Sequence, residues 1–291
     1  MQTGFAFCFA LLLVYLAASP RFAQWYYRRR IFIDKTARQS DPEAPRNFDW
    51  THKVQLKVPS ADGTMMNSWF FGSSDNKKGT LAIYFVGRGS SISNCIDEVE
   101  RLLKAGYAVF IGDYRGFGET KGPLPSIASV CQDGLAFFDY AFEELGYNPE
   151  EIVLVGESLG GGIASYVCKH RQPAGLVLSN SFTSLPDIGR EHVPLTRIFP
   201  LWLHPSNHLG TRAILRSWLR PLLVVHAEQD ETVPFHHGRE NFASAGTRSA
   251  RRLFLPLPES SHRETSERAA HLYHEGLIRM REIVQRNCDV F

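Results

Sequence analysis

The stretch Glu151-Ile-Val-Leu-Val-Gly-Glu-Ser-Leu-Gly-Gly-Gly-Ile-Ala-Ser165 decides the fold of this chain. Residues 151–155 are nearly all β-branched or aliphatic, which predicts a buried parallel strand. Gly156-Glu157-Ser158-Leu159-Gly160 follows at once, and apolar residues then recur at helical spacing. A G-x-S-x-G sequence between a strand and a helix is typical of a serine on a sharp, strained turn that lifts its hydroxyl above the sheet.

The same turn has a simpler explanation. A glycine-rich connection in another kind of α/β protein also places a serine there, where its side chain merely caps the helix that follows. A serine nucleophile needs a general base, and the base needs an acid to orient it. The rest of the sequence must therefore decide between a nucleophile and a helix cap.

The overall composition is that of an ordinary globular protein with 291 residues, of which 44% are hydrophobic and 21% charged. A net charge of +2 and the lack of any lysine-rich tract argue against a nucleic-acid partner. The cysteines are odd in number, scattered and without a C-x-x-C pair, which argues against a disulfide framework or a zinc site. They are Cys8, Cys95, Cys131, Cys168 and Cys288.

The N-terminus carries an uninterrupted apolar run from Gly4 to Ala18. Trp25-Tyr26-Tyr27 and then Arg28-Arg29-Arg30 follow, in the order of an interfacial aromatic belt and a positive stop. We therefore predict a single-pass transmembrane anchor over residues 1–30, with the following domain on the cytoplasmic side. A cleaved signal peptide is the alternative, but no Lys or Arg precedes the run, and Pro20 follows its best cleavage site. Residues 31–50 are predicted to be a linker.

Beyond this linker, strand and helix patterns alternate to the end of the chain, which predicts one α/β domain over residues 51–291. Residues 52–58 and 69–71 flank a Ser60-Ala-Asp-Gly-Thr64 turn and predict an antiparallel hairpin at a sheet edge. Further strands are expected near 80–86, 107–111, 176–178, 221–225 and 253–255. The sheet should therefore be mostly parallel, with helices on both faces and a short lid insertion at about 185–218.

Two residues stand where a serine nucleophile needs partners. Asp230 follows the predicted strand 221–225, and His262 follows the strand 253–255. Catalytic groups gather at the C-terminal ends of the strands in open parallel sheets. Ser158, Asp230 and His262 also stand in the chain order nucleophile, acid, base that one class of hydrolase triads uses. Asp187, after the preceding strand, is the reserve candidate for the acid.

The first βα turn, Gly87-Arg88-Gly89, permits a nucleotide-binding alternative, because Asp113 stands at the end of the next strand. The third glycine of a dinucleotide fingerprint would fall at position 92, which is isoleucine. The isoleucine side chain would keep the helix from packing closely on the strand, which argues against a dinucleotide site.

Several segments together resemble the membrane-anchored ABHD-type α/β-hydrolases, over roughly residues 50 to 286. These segments are Leu81–Gly87, Asp113–Gly118, Gly156–Gly161, Ser181–Ser184, Asp230–Pro234 and Ser261-His262. The resemblance implies an α/β-hydrolase fold and a serine hydrolase that cleaves carboxylic ester or thioester bonds through an acyl-enzyme. It implies Ser158 as nucleophile, His262 as general base and Asp230 as the orienting acid. It further implies a small-molecule or lipid-like acyl ester substrate, and no metal or organic cofactor.

The same resemblance implies an oxyanion hole made by the backbone N–H groups of Leu159 and of Arg88 or Gly89. Members of the family commonly have His-Gly-Asn at this turn, whereas this chain has Val86-Gly87-Arg88. The donor is a backbone group and survives the change, but side chains that usually brace the loop are missing. A catalytically weak, membrane-tethered scaffold with a binding function is therefore the alternative. Arg88 either points to solvent or meets an anionic substrate group.

Between Ser179 and Arg220 the sequence is rich in bulky apolar residues. They either pad a helical insertion against the sheet or form an acyl-binding wall. His192, His204 and His208 lie in the same segment without metal-ligand partners at the usual spacing, and no role is assigned to them.

Overall fold

The protein is described from a computed structural model, which covers residues 2–32, 53–72, 79–205 and 209–288. Its centre is an eight-stranded sheet in the order β1-β2-β4-β3-β5-β6-β7-β8. The strands are β1 Lys53–Pro59, β2 Met65–Phe71, β3 Leu81–Phe85, β4 Ala108–Gly112, β5 Ile152–Glu157, β6 Gly175–Ser179, β7 Leu222–Ala227 and β8 Arg252–Leu257. β2 pairs antiparallel with β1 and β4, and all other pairs are parallel. The predicted mostly parallel sheet with an edge hairpin is confirmed.

The helices cover both faces of this sheet. They are α1 Gln2–Ala18, α2 Gln24–Phe32, α3 Ile96–Lys104, α4 Ile127–Glu143, α5 Leu159–Arg171, α6 Leu185–His192, α7 Thr211–Leu215, α8 His236–Ser244 and α9 Glu267–Cys288. Every residue of β3, β4, β6 and β7 is buried. Successive side chains of a strand point to opposite faces, so full burial requires cover on both sides. α4 and α5 pack against each other, as do α3 and α9.

In its described residues, 180–205 and 209–221, the insertion between β6 and β7 contains α6, α7 and two short 3₁₀ turns, Pro194–Ile198 and Leu201–Leu203. It follows the end of β6, the strand next to β5, and therefore stands over the C-terminal edge of the sheet. The predicted lid region is thus an irregular helical segment at the edge where parallel sheets place their ligands.

The apolar N-terminal run forms α1, which ends at Ala18 after 17 residues. Ser19 and Pro20 are buried and lead into a turn before α2. Within the described ranges, no helix has both the length and the apolar character that crossing a membrane requires. The predicted transmembrane helix is therefore not supported, because at about 1.5 Å per residue α1 falls short of a ~30 Å hydrocarbon core.

The linker predicted at 31–50 begins in the structure with Ile31 and Phe32, which are the last residues of α2. Phe32 is buried, and its ring packs edge-on against Phe117, with 6.3 Å between the ring centroids. Residues 33–50 lie outside the described residues.

Helix α5 begins in direct contact with the strand ends beneath it. A Cβ added at Gly160 would lie 2.0 Å from the carbonyl oxygen of Phe85, and one at Gly156 would lie 2.5 Å from that of Gly160. Both positions therefore exclude any side chain, because the atoms in the way belong to the backbone. This explains the glycines at both ends of the G-x-S-x-G sequence.

We expect Gly160→Ala to lower the free energy of unfolding by about 3 kcal/mol, or to prevent folding, because a rigid backbone clash cannot be relieved by a rotamer change. Chemical denaturation followed by circular dichroism measures the change. Gly189→Ala in α6 is the matched control, since a Cβ there meets nothing within 4 Å; it should be neutral or slightly stabilising. Equal stability of the two variants would contradict the close packing of α5 on β3.

Candidate active site

Ser158 lies on the turn between β5 and α5, with φ 51° and ψ −115°. A positive φ at a non-glycine residue is strained, and the surrounding backbone must hold it in place. The N–H of Ser158 donates to the carbonyl of Ser179 at 2.9 Å. Its own carbonyl accepts from the hydroxyl of Ser181 at 3.0 Å and from the N–H of Gly161 at 3.1 Å. The strained turn expected from the sequence is present, and bonds on both sides of it maintain the conformation.

Asp230 and His262 are brought together at the same edge of the sheet. His262 Nδ1 lies 2.7 Å from Asp230 Oδ2, and both side chains are buried. The other carboxylate oxygen, Oδ1, accepts from the N–H groups of Thr232 and Val233, at 2.9 and 2.6 Å. When the carboxylate is ionised, Nδ1 must carry the shared proton, and Nε2 of a neutral ring is then free to accept one. Asp187, the reserve acid, contacts Ser184, Thr183 and Arg212 instead.

Asn180, which was not predicted from the sequence, joins the C-terminal ends of β6, β7 and β8 by hydrogen bonds. Its backbone N–H donates to Val225, its side-chain Oδ1 accepts from the N–H of Ala227 at 2.8 Å, and its Nδ2 donates to the carbonyl of His262 at 3.3 Å. Asn180 adopts φ 46°, a conformation that asparagine tolerates better than most residues. An asparagine directly after a buried strand was the available signal. Its partners depend on tertiary structure.

His226, at the end of β7, supports the loop that carries Asp230. The ring is fully buried, and its Nε2 donates to the carbonyl of Val233 at 2.7 Å while lying 3.6 Å from Asp230 Oδ2. Burial lowers the pKa of His226, so the ring is neutral near pH 7. The carboxylate of Asp230 is therefore held by backbone N–H groups and by His262, beside an uncharged imidazole.

The loop expected to supply an oxyanion donor lies against the serine. A Cβ added at Gly87 would be 3.5 Å from the Cβ of Ser158. Gly89 has φ 68°, and the N–H of Ser90 closes a turn onto the carbonyl of Gly87 at 3.3 Å. Asp113 supports the far end of this loop, because its Oδ1 accepts from the N–H of Ile92 at 2.8 Å. This contact supplies a brace for a loop that lacks the usual histidine and asparagine.

A cavity of about 330 Å³ opens beside Ser158. Arg88 and Leu159, two of the predicted oxyanion residues, also line it, and Arg88 is exposed at its rim. Most of the remaining lining is apolar and comes from the insertion, and His192 and His204 lie among it. His192 Nε2 donates to the carbonyl of Thr232 at 2.6 Å, which joins the insertion to the Asp230 loop. The apolar lining includes Ile127, Phe182, Leu185, Pro186, Ile188, Val193, Pro205, Leu209 and Val233, together with Pro20, Tyr27 and Ile31 from the N-terminal segment.

Comparisons with known proteins agree with this architecture. A family model described as "Serine aminopeptidase, S33" matches residues 76–220, which include Ser158 but end before Asp230 and His262. The uncharacterized protein YfhR of Escherichia coli K12 is 28% identical over 246 residues, which is 82% of this chain and 81% of that protein. The esterase Pf2001 of Pyrococcus furiosus superimposes with a TM-score of 0.64 at 17% identity, over 85% of this chain and 97% of that chain. The chain has the α/β-hydrolase fold.

A further relative has a named activity. The lysophosphatidylserine lipase ABHD12 of Rattus norvegicus is 31% identical over 191 residues, which is 59% of this chain and 46% of that protein. Since less than half of the lipase is covered, its substrate is a property of that protein alone. What the solved structures share with this chain is the fold.

A second group of titratable side chains joins the insertion to α8. Glu191 Oε1 lies 3.1 Å from His237 Nε2 and 3.2 Å from His236 Nε2, a spacing that suits a metal ion. On the other side of the His237 ring, Nδ1 lies 3.2 Å from the backbone N of Thr183 and 2.9 Å from its hydroxyl oxygen. The cluster thus joins α6 to α8 through contacts between two histidines and a carboxylate.

This cluster predicts a dependence of stability on pH. Burial lowers the pKa of His237 from 6.5 to about 4, although Glu191 opposes the shift. Between these two values the unfolded chain takes up a proton that the folded chain does not, so the free energy of unfolding should fall as the pH is lowered from about 6.5 to about 4. Urea denaturation at several pH values in this window measures the slope.

The slope should be smaller in His237→Asn than in the wild-type protein. His271→Asn, which changes an exposed histidine on α9, is the control and should keep the wild-type slope. If His237→Asn also kept it, burial of the neutral ring would not be the cause.

Proposed function

We propose that this protein is a serine hydrolase that cleaves carboxylic ester or thioester bonds through an acyl-enzyme. The observation that carries the proposal is the 2.7 Å contact between His262 Nδ1 and Asp230 Oδ2, at the sheet edge where Ser158 opens into an apolar cavity. The strained backbone of Ser158 and the hydrolase fold of the chain support it. A helix cap would explain the serine but not the buried imidazole and carboxylate.

In the proposed reaction, His262 Nε2 accepts the hydroxyl proton of Ser158 as the oxygen attacks the carbonyl carbon of the substrate. The backbone N–H groups of Leu159 and of Arg88 or Gly89 stabilise the negative charge on the carbonyl oxygen. His262 then gives the proton to the leaving alcohol or thiol, and the acyl group stays on Ser158. A water molecule, deprotonated by His262, attacks this acyl-enzyme; the bond to Ser158 Oγ then breaks, His262 returns the proton to that oxygen, and the carboxylic acid is released. Asp230 holds the imidazole in one tautomer and stabilises its charged form throughout.

The cavity favours an acyl ester over the N-terminus of a peptide. A free α-amino group is cationic and is normally bound by a carboxylate. Of the described residues that line the cavity, none is acidic, and Arg88 at the rim is cationic. An apolar acyl chain gains free energy from the lining, whereas an ammonium group would lose its hydration without a partner.

We expect an alkyl fluorophosphonate probe to label the wild-type protein at Ser158, and the label to be lost in Ser158→Ala. Asp230→Asn should keep the fold but lower kcat for a p-nitrophenyl ester by about 10⁴. Gel fluorescence and initial rates measure the two effects.

Asp187→Asn is the matched control, because it changes a carboxylate of the same sheet edge that does not contact His262. It should retain most of the activity. A folded wild-type protein that neither takes up the probe nor hydrolyses any ester would favour the alternative, a binding scaffold with a hydrolase fold.

We also propose that α1 brings the protein to a lipid surface, in place of a spanning anchor. Its apolar side chains are 50–79% exposed between Phe5 and Val14, and Trp25 and Arg29 follow on the next helix. Apolar residues followed by aromatic and basic ones suit the headgroup region of anionic lipids. The position of the hydrolase domain on the cytoplasmic side stays a prediction from the arginines after α1.

We expect the protein to sediment with vesicles of phosphatidylglycerol and phosphatidylcholine, and Phe9→Asp with Leu13→Asp to reduce the bound fraction strongly. Leu219→Asp, an exposed leucine outside α1, should bind like the wild type. Equal binding of all three proteins, or no binding by the wild type, would contradict a lipid contact through α1.

A further inference from the structure

The N-terminal segment contributes side chains to the same cavity as Ser158. Pro20, from the turn after α1, and Tyr27 and Ile31, from α2, line it together with Ser158 and Leu159. Tyr27 and Ile31 are four residues apart, so they lie on one face of the helix. Both are half-buried, whereas their neighbours Trp25 and Tyr26 are exposed. The face of α2 that is turned inward is therefore the face that meets the cavity.

Hydrogen bonds hold this segment to the insertion. The N–H of Arg21 donates to the carbonyl of Leu203 at 2.8 Å, and its guanidinium donates to the carbonyl of Trp202 at 3.0 Å. The hydroxyl of Tyr15 donates to the carbonyl of Ile198 at 2.7 Å, and its ring packs on Phe199 with the centroids 4.9 Å apart. These contacts join α1 and the turn after it to the insertion that forms the opposite wall.

A second set of contacts holds α2 to the body of the domain. Arg28 donates from Nε to the carbonyl of Pro125 at 3.0 Å, and from Nη2 to the carbonyl of Leu124. Ile31 packs against the hydrophobic core, and Phe32 is buried within it. Ile127, just beyond the Leu124–Pro125 segment, lines the cavity as well. Contacts on two sides keep Tyr27 and Ile31 in place, so these side chains are a fixed wall rather than a loose cover.

We propose that α2 closes the acyl-binding pocket and that Tyr27 and Ile31 determine which acyl chain lengths are accepted; this rests on the proposed esterase function. About 330 Å³ lies at the low end of the range for small-molecule pockets, so it suits a single acyl chain and not a two-chain lipid. The chain would lie between the insertion residues and α2, with its carbonyl at Ser158. Changing the size of a side chain in α2 should therefore change chain-length preference without any change in the reacting groups.

The test compares kcat/KM for p-nitrophenyl octanoate with that for p-nitrophenyl acetate. Ile31→Trp fills the pocket, and the octanoate-to-acetate ratio should fall at least about tenfold, since even one methylene in an apolar pocket is worth about 10–200-fold. Ile31→Ala enlarges the pocket and should shift the preference toward laurate. Leu195→Trp is the matched control, because Leu195 is exposed in the insertion and lies outside the cavity lining; it should keep the wild-type ratio.

A binding measurement separates failure of this inference from failure of the proposed function. In Ser158→Ala, the Kd of octanoic acid should rise at least about tenfold when Ile31→Trp is added. The inference is overturned if both the ester ratio and the Kd are unchanged in folded Ile31→Trp. If Ile31→Trp does not fold, an unchanged chain-length preference in Ile31→Ala overturns it. If the wild-type protein lacks esterase activity but Ile31→Trp still weakens its affinity for octanoic acid, the proposed esterase function is wrong. The role of α2 as a wall of the acyl-binding pocket is then supported on its own.

Discussion

The contact between the start of α5 and the strand ends beneath it is the constraint on which the rest of the structure depends. The Cβ positions of Gly156 and Gly160 are occupied by backbone atoms, so the chain can turn from strand to helix only where side chains are absent. Ser158, in the middle of this turn, is left with a positive φ that costs on the order of 1–3 kcal/mol. Hydrogen bonds with Ser179, Ser181 and Gly161 offset this cost. The orientation of the serine is thus a consequence of close packing.

The neighbouring strands supply the other groups. β5, β6, β7 and β8 are adjacent and parallel, so the residues that follow them meet at one edge. They are Ser158, Asn180, Asp230 and His262. Asn180 follows β6, between Ser158 on one side and Asp230 and His262 on the other. Its side-chain amide accepts a hydrogen bond from the N–H of Ala227, at the end of β7, and donates one to the carbonyl of His262. Because backbone atoms accept or donate most of these bonds, the geometry of the edge follows from the register of the sheet.

Much of this could be predicted from the sequence, because strands buried on both faces have an unmistakable composition. The alternation of such runs with amphipathic helices located the sheet, and the glycines around Ser158 located the turn. Asp230 and His262 were recognisable because each follows a strand. Asn180 and Tyr27 were not, since each acts through partners that lie far away in the chain. His226 was not either, because its contacts with Val233 and Asp230 depend on how the loop after β7 folds back. The expected spanning helix is not supported, because hydropathy alone did not indicate that the chain turns at Ser19 and Pro20.

The hydrogen bond between His192 and Thr232 joins the wall of the cavity to the loop that carries Asp230. His192 belongs to the insertion, and Thr232, whose carbonyl it contacts, stands two residues from Asp230 and donates its own N–H to that carboxylate. The backbone of Thr232 therefore contacts the wall of the cavity through its own carbonyl and the Asp230 carboxylate through its N–H, so one residue fixes the distance between the two.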